Sequence, residues 1–352
     1  MVGRVLLTGG NGFIGAHILD QLLANDFHVR SVVRSEAKAD QVRASHPNAG
    51  EKLDFSIVPD ITSAGAFNEA VISTPPFDIV IHTASPFLYK AANDNLDFLK
   101  PAVHGTTEIL KATKSFAPEV KRVIVTSSFA AVLDPNLSED AGVTYTSDDW
   151  NPLSWEEALV GDKPTGYLAS KKFAEKAVTY LVWDFLKDEK PRFDVVTFNP
   201  PMVYGPLRHP VSKNADLNES NARIWDLFVN SSKDADLPPN GFHLYTDVRD
   251  LAYGHVQAAL LPEASNRRFI FSRGQISSQE ISDILRKNIP ELAERTPIGK
   301  PGTSSLHERA YDADSTPARD VLGVEFRSAE STFVELAKQL LEIEKREKSG
   351  TV

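Results

Sequence analysis

The chain has 352 residues, enough for one large domain or two smaller ones, and its 38 basic and 48 acidic side chains leave a net charge of −10. That balance argues against nucleic acid or an anionic membrane as a main partner. The absence of cysteine excludes disulfides, thiolate catalysis and cysteine-ligated zinc, and no metal site is expected. No apolar run approaches the roughly 20 residues needed to cross a bilayer. The first strand begins almost at Met1 with no room for a signal peptide, so a soluble, cytoplasmic globular protein is expected.

Arg4-Val5-Leu6-Leu7 reads as a short strand, and Ile18, Leu19, Leu22 and Leu23 recur at helical spacing just beyond it. Between them lies Thr8-Gly9-Gly10-Asn11-Gly12-Phe13-Ile14-Gly15. A strand, a glycine-rich turn and a helix in that order form a phosphate cradle. Gly9 allows the tight turn, Gly12 lets the backbone approach a pyrophosphate, and Gly15 lets the helix pack closely on the strand. The helix start, at Phe13 and Ile14, offers free N–H groups and a partial positive charge to the anion. A dinucleotide site is therefore expected here.

Short apolar runs then alternate with longer helical patterns, which predicts parallel βαβ units. The strands expected after the first are 28–33, 53–58, 78–82, 122–126, 193–198 and 268–271; the third of the seven, 53–58, has a period-two pattern. Helices are expected near 94–117, with Leu96, Leu99, Val103, Ile109 and Leu110 facing inward, and from about Tyr167 to Leu186. The fold class is α/β, a Rossmann doubly wound parallel sheet with the ligand outside the carboxyl ends of its strands. Residues 1–204, about 247–272 and the C-terminal helix at 331–345 are assigned to this cofactor domain. Residues 205–246 and 273–330 form a smaller, discontinuous C-terminal substrate lobe.

The end of the second strand discriminates between the nicotinamide cofactors, because an acid there would bind the ribose 2′-hydroxyl and repel a 2′-phosphate. Here it ends Val32-Val33-Arg34, with Lys38 four residues on; a guanidinium and an ammonium suit a 2′-phosphate and favour NADPH over NADH. Asp60 and Ile61, after the third strand, are expected to flank the adenine. Tyr167 is the only tyrosine with a lysine four residues later, Lys171, so on a helix phenol and ammonium sit side by side. A free phenol has a pKa of about 10, and a neighbouring ammonium lowers it. Tyr167 would protonate a carbonyl oxygen as hydride arrives at carbon, and Lys171 would hold the nicotinamide ribose. Ser128, preferred to Ser127 at the end of the fifth strand, would position the same oxygen.

Taken together these motifs resemble the extended short-chain dehydrogenase/reductase superfamily. Within it the chain is similar to the fungal carbonyl reductases of the NADPH-dependent methylglyoxal (isovaleraldehyde) reductase type, with plant dihydroflavonol and cinnamoyl-CoA reductases more distant. The likeness covers nearly the full length. Besides the glycine loop and Tyr167–Lys171 it rests on Arg34 with Lys38, Pro59–Ile61, His82–Phe87, Thr126–Val132, Asn199–Pro206 and Lys300–Gly302. The resemblance implies an NADPH-dependent reductase with a Ser128-Tyr167-Lys171 triad. Thr83, Ala84, Ser85 and Thr126 would run along the cofactor, and Pro200 to Val203 beside the nicotinamide. Phe87, Phe129 and Met202 match positions lining an apolar substrate pocket, although Phe129 and Met202 stand where the yeast-type enzyme has tyrosines. His104-Gly105 replaces a usual Asn-Gly, which puts that group's proton relay in doubt.

The expected activity is NADPH-dependent reduction of a small-molecule aldehyde or ketone, by a monomer or homodimer. A nucleotide-sugar epimerase or dehydratase is the alternative, for which Arg208, His209, Arg223, Lys300 and Arg309 are the cations that could pass for phosphate ligands. A non-catalytic NADP-sensing regulator is a third reading, and it would not require Tyr167 or Lys171.

Overall fold

The computed structural model describes residues 3–85, 94–179 and 192–350. Seven parallel strands form the main sheet: β1 (Arg4–Thr8), β2 (His28–Val33), β3 (Leu53–Ile57), β4 (Ile79–His82), β5 (Arg122–Thr126), β7 (Asp194–Asn199) and β10 (Arg268–Ile270), the numbering leaving room for shorter strands given below. Their order is β3-β2-β1-β4-β5-β7-β10. Strand order reverses direction at β1, which pairs with β2 on one side and with β4 on the other. The carboxyl ends of β1 and β4 therefore open a crevice, the place where such sheets bind ligands.

Alternation along the strands buries both faces. In β1, Val5 and Leu7 point to one face and Leu6 to the other, and all three are fully buried. The first face is covered by α1 (Phe13–Ala24), through Ile18, Leu19 and Leu22, and by α7 (Val248–Leu260), through Leu251 and Val256. The second is covered by α3 (Leu96–Phe116), through Ile109 and Leu110, and by Val178 of α5 (Lys163–Thr179). Full burial of each such side chain contributes about 1.5–3 kcal/mol. On α3, Leu99 is buried while Leu96 and Val103 are only half-buried. β3, expected to alternate, is an edge strand whose residues are all half-buried or exposed. No regular helix intervenes between β3 and β4; turns over 60–72 bring Phe67, Ala70 and Val71 onto the sheet instead. The predicted helix from Tyr167 begins four residues earlier at Lys163, and the stretch expected beyond Thr179 lies outside the described residues.

Several short elements cover the carboxyl end of the sheet. β6 (Thr144–Tyr145) pairs with β12 (Asp312–Ala313), and β8 (Met202–Tyr204), β9 (Leu244–Asp247) and β11 (Gly274–Gln275) form a three-stranded sheet. α6 (Glu219–Ile224) packs on β8, and α8 (Ser278–Asn288) on α10 (Ala329–Ser349); α4 (Trp155–Val160) packs on α5, α9 (Thr316–Leu322) on α7 and β10, and α2 (Glu36–Ser45) flanks β2. The C-terminal helix, grouped on sequence with the cofactor domain, has its apolar face elsewhere: Phe333, Leu336, Leu340 and Leu341 of α10 pack with Ile281 and Leu285 of α8, Phe228, and Tyr204 and Tyr245. Amphipathic spacing told that this helix was buried on one face; it carried no information about which partner would receive that face.

The turn from β1 to α1 tolerates no side chains where it is tightest. Gly9 has φ +75°, and a Cβ there would meet the Ala84 backbone nitrogen at 2.9 Å. A Cβ at Gly15 would lie 2.7 Å from the Gly9 carbonyl carbon. Gly15→Ala is expected to cost about 3 kcal/mol of stability, the upper end for overpacking, because the obstruction is backbone. A fall in the denaturant midpoint without a change in slope checks this, and an unchanged midpoint would refute it.

Candidate active site

A cleft of about 660 Å³ lies over the carboxyl ends of β1, β4 and β5. Its floor is the glycine loop (Gly9, Gly12, Phe13, Ile14, Gly15) with Thr83, and one wall carries Ser128, Phe129 and Ala130 beside Tyr167 and Leu168 of α5. The opposite wall is Pro201, Met202 and Val203, and the far end is closed by Asn218 to Ser220, Phe242, Leu244 and Tyr311. Apolar walls with a few convergent polar groups are what a small-molecule site requires.

The floor suits a dinucleotide phosphate. Gly12 precedes α1 without any side-chain cap, and the first turn of α1 holds no acid, so its free N–H groups face the cleft end of the loop. The Gly12 backbone N–H donates to Gly9 O at 2.9 Å, and Gly9 N–H donates to Val32 O at 3.3 Å, which ties the loop to the end of β2. Arg34, immediately beyond β2, is exposed and makes no hydrogen bond or ion pair among the described residues. Lys38 is half-buried in the first turn of α2 and donates to Gln41 Oε1 at 2.9 Å. The residues at this site thus fit a nucleotide bearing a 2′-phosphate: an uncapped helix start, a cradle that a Cβ would fill, and a free guanidinium.

The second wall is built by α5. Tyr167, Lys171 and Glu175 are four residues apart and share one face. Lys171 Nζ donates to Ser85 Oγ at 3.0 Å and lies 5.8 Å from the centre of the Tyr167 ring. Burial brings its pKa down to about 8, because the ammonium is removed from water without a carboxylate partner. On the helix's other side Leu168 and Ala169 pack with Leu99, Ala130, Leu153 and Ala158. The turn entering α5 is pinned by Asn95, whose buried amide donates to Ala158 O and Gly161 O, both at 2.8 Å. Beyond β5 the two serines diverge. Ser127 Oγ donates to Glu175 Oε2 at 2.5 Å, whereas Ser128 Oγ lines the cleft and accepts from Ala130 N–H at 3.2 Å.

Residues 5–267 match the NAD dependent epimerase/dehydratase family. The chain belongs to that family. Among its relatives, the ketoreductase azaE of Aspergillus niger is 39% identical over 340 residues, covering 96% of this chain and 98% of that one. The NADPH-dependent methylglyoxal reductase GRE2 of Saccharomyces cerevisiae is 35% identical over 347 residues, covering 97% and 99%. The crystal structure of that yeast methylglyoxal/isovaleraldehyde reductase, complexed with NADPH, superposes with a TM-score of 0.87 over 97% of this chain and 99% of its own. Alfalfa vestitone reductase, 25% identical, gives 0.74 over 99% and 100%.

In this member of the epimerase/dehydratase family not every expected residue reaches the cleft. Thr126 turns its hydroxyl to His255 Nε2 (2.8 Å). Thr83, on the cleft floor, donates its Oγ1 to Thr8 O at 2.6 Å, and Ala84 N–H donates to Thr8 Oγ1 at 3.1 Å. Pro200 is buried, with its carbonyl accepting from Phe129 N–H, and Pro201 takes its place on the wall. Asp60 is exposed and bound to Thr62 and Ser63 of its own turn, whose hydrogen bonds hold its carboxyl below the usual range. Ile61 packs toward Gly105, where a Cβ would meet its Cδ1 at 3.3 Å. The neighbouring His104 is exposed on α3. Phe87 lies outside the described residues. Sequence reading missed Pro164, Leu133, Asn218, Phe242, Leu244 and Tyr311, which reach the cleft from separate segments of the chain and share no motif. It also missed Glu175, although its spacing of four from Lys171 was a signal.

Proposed function

We propose that the chain is an NADPH-dependent carbonyl reductase acting on an aldehyde or ketone with an apolar substituent. One observation carries this reading: Tyr167 and Ser128 share a single cleft with the glycine loop. Relatives named as a ketoreductase and as an NADPH-dependent methylglyoxal reductase support it over nearly the full length. Bound at the loop, NADPH would supply hydride. Arg34 and Lys38 would hold its 2′-phosphate, and Lys171, beside Ser85, the nicotinamide ribose.

Ser128 Oγ donates a hydrogen bond to the substrate oxygen and turns it toward Tyr167. Tyr167 gives that oxygen its proton as the carbonyl carbon is reduced. The Lys171 ammonium stabilises the phenolate left behind. Phe129, Met202 and Leu244 exclude water and seat the apolar substituent.

The epimerase reading needs free cations for a sugar diphosphate in the cleft, and three of the five candidates are engaged elsewhere. Arg208 pairs with Asp20, Arg223 donates to Pro239 O and Asn240 O, and Arg309 donates to Ala141 O. Lys300 is exposed, and His209 packs on Phe13 with its pKa lowered to about 4 by burial. None of these five lines the cleft.

The direct test is loss of reduced-nicotinamide absorbance with purified protein, NADPH or NADH, and a panel of aliphatic aldehydes, α-dicarbonyls, aryl ketones and β-keto esters. Oxidation of NADPH by panel members is expected; tightly bound NAD with no turnover would favour the epimerase instead. Tyr167→Phe is expected to lower kcat by about 10²–10⁴-fold with NADPH binding retained, and unimpaired turnover would remove Tyr167 as the acid. Arg34→Ala is expected to reduce kcat/KM for NADPH about 10–100-fold, the worth of a charge-assisted hydrogen bond, and to leave NADH nearly unchanged. An unaltered ratio between the two would sink the 2′-phosphate assignment. Because Lys171 loses its proton as pH rises through about 8, kcat/KM for reduction is expected to fall on that alkaline side. A profile flat to pH 9.5 (roughly a unit and a half above that value) would argue against a role for the ammonium.

A further inference from the structure

Glu175 is a fully buried carboxylate that accepts four hydrogen bonds from three different strands or their ends. Oε2 receives Ser127 Oγ at 2.5 Å and Asn199 Nδ2 at 2.6 Å; Oε1 receives Thr197 Oγ1 at 3.1 Å and Arg268 Nε at 2.7 Å. The Arg268 guanidinium is fixed in turn, donating to Ser147 O at 2.8 Å and stacking 3.8 Å above the Trp150 ring. A buried ion pair of this kind is weak evidence for stability, since desolvation offsets most of the attraction. What it does give is a fixed geometry, because each partner's direction is set by the others.

That geometry leads to the proposed reacting groups by two short routes. Asn199 Nδ2, held by Glu175, also donates to Ser128 O at 3.0 Å, while the other end of the same peptide, Phe129 N–H, donates to Pro200 O at 2.9 Å. With the Ser127 side chain bound to the carboxylate and the Ser128 carbonyl bound to Asn199, the backbone at 127–128 has one orientation. It is the orientation that leaves Ser128 Oγ on the cleft wall. Along the helix, Glu175 is one turn beyond Lys171 and two beyond Tyr167, on their face. One carboxylate therefore joins the helix carrying Tyr167 to the strand end carrying Ser128.

We propose that Glu175 is a positioning residue for the reduction, setting Ser128 against Tyr167 and Lys171 by clamping α5 to the ends of β5 and β7 and to β10 through Ser127, Asn199 and Arg268. The proposal rests on the reading that Ser128 and Tyr167 act on the carbonyl oxygen. Displacement of a reacting group by about 1 Å costs on the order of 10²-fold in rate.

Glu175→Gln keeps the shape and disrupts the clamp, because the new amide must direct its NH₂ at either Asn199 Nδ2 or Arg268 Nε, both of which are donors. It is expected to lower kcat roughly 10–100-fold, with KM for NADPH within about 2-fold and the alkaline limb of the pH profile unmoved. Ser127→Ala removes a single link and leaves the ion pair whole, so it keeps the test available if Glu175→Gln does not fold. Its kcat is expected to fall about 5–10-fold, with recovery in Ser127→Thr, which restores the hydroxyl. A lowered melting temperature with kcat at wild-type level in Glu175→Gln or Ser127→Ala would mean a purely structural role and overturn the proposal. So would a raised KM for NADPH at unchanged kcat, which would assign Glu175 to the cofactor seat. Tyr167→Phe, run in parallel, separates the two ideas: full activity there defeats the acid assignment itself, whereas its loss beside an active Glu175→Gln defeats only the clamp.

Discussion

The close passage of α1 over the end of β1 is the constraint on which the site depends. Gly15 and Gly9 approach so nearly that no Cβ fits between them, and Gly9 in turn lies against the backbone of Ala84 beyond β4. This contact aims the first turn of α1 along the crevice between β1 and β4 rather than across it. Thr8 is part of the same junction. Its hydroxyl receives Ala84 N–H and lies 2.9 Å from His82 Nδ1, and its carbonyl accepts from the Thr83 hydroxyl. The last residue of β4 and the two that follow it are thus held to the last residue of β1, which fixes the floor of the cleft on both sides of the strand reversal.

The wall opposite the glycine loop depends on a different kind of contact. α5 has little amphipathic character of its own and is held by specific polar anchors as much as by its apolar residues. Asn95 binds the turn before it, the buried Lys172 ammonium reaches Leu153 O at 2.5 Å, and Glu175 reaches across to β5, β7 and β10. Such anchors cost desolvation, which their hydrogen bonds offset. Their effect is that Tyr167 lines the cleft, with Lys171 one turn on and bonded to Ser85, on a helix whose rotation and height are both set.

The rest of the cleft is closed by segments that follow the sheet in the chain. β8 and β9 carry Met202, Val203 and Leu244 to the wall, and Tyr311 arrives from the stretch leading into β12. Tyr311 is packed by neighbours distant in sequence: it stacks on Phe129 at 6.3 Å and meets Tyr145 edge-on at 5.9 Å. The far end of the pocket is therefore a product of contacts between segments far apart in the chain.

Much of this was legible beforehand because it is local. The glycine loop, the apolar strands, the cationic end of β2 and the Tyr167–Lys171 spacing are each decided within a turn or a strand by sterics and periodicity. Ser127 and Ser128 stand side by side in the sequence, and the bond that turns the Ser127 hydroxyl to Glu175 joins residues 48 apart. The packing of α10 with α8 rather than with the sheet was not legible, because an apolar stripe specifies burial and not the identity of its partner. Likewise Asn218, Phe242 and Tyr311 look like ordinary surface or core residues until the lobes are assembled. The kind of sheet, the glycine-rich turn and the residue types brought to it follow from short-range geometry and can be read from the residues alone. Which side chains meet across the cleft, and what closes it, depends on long-range packing that no local pattern encodes.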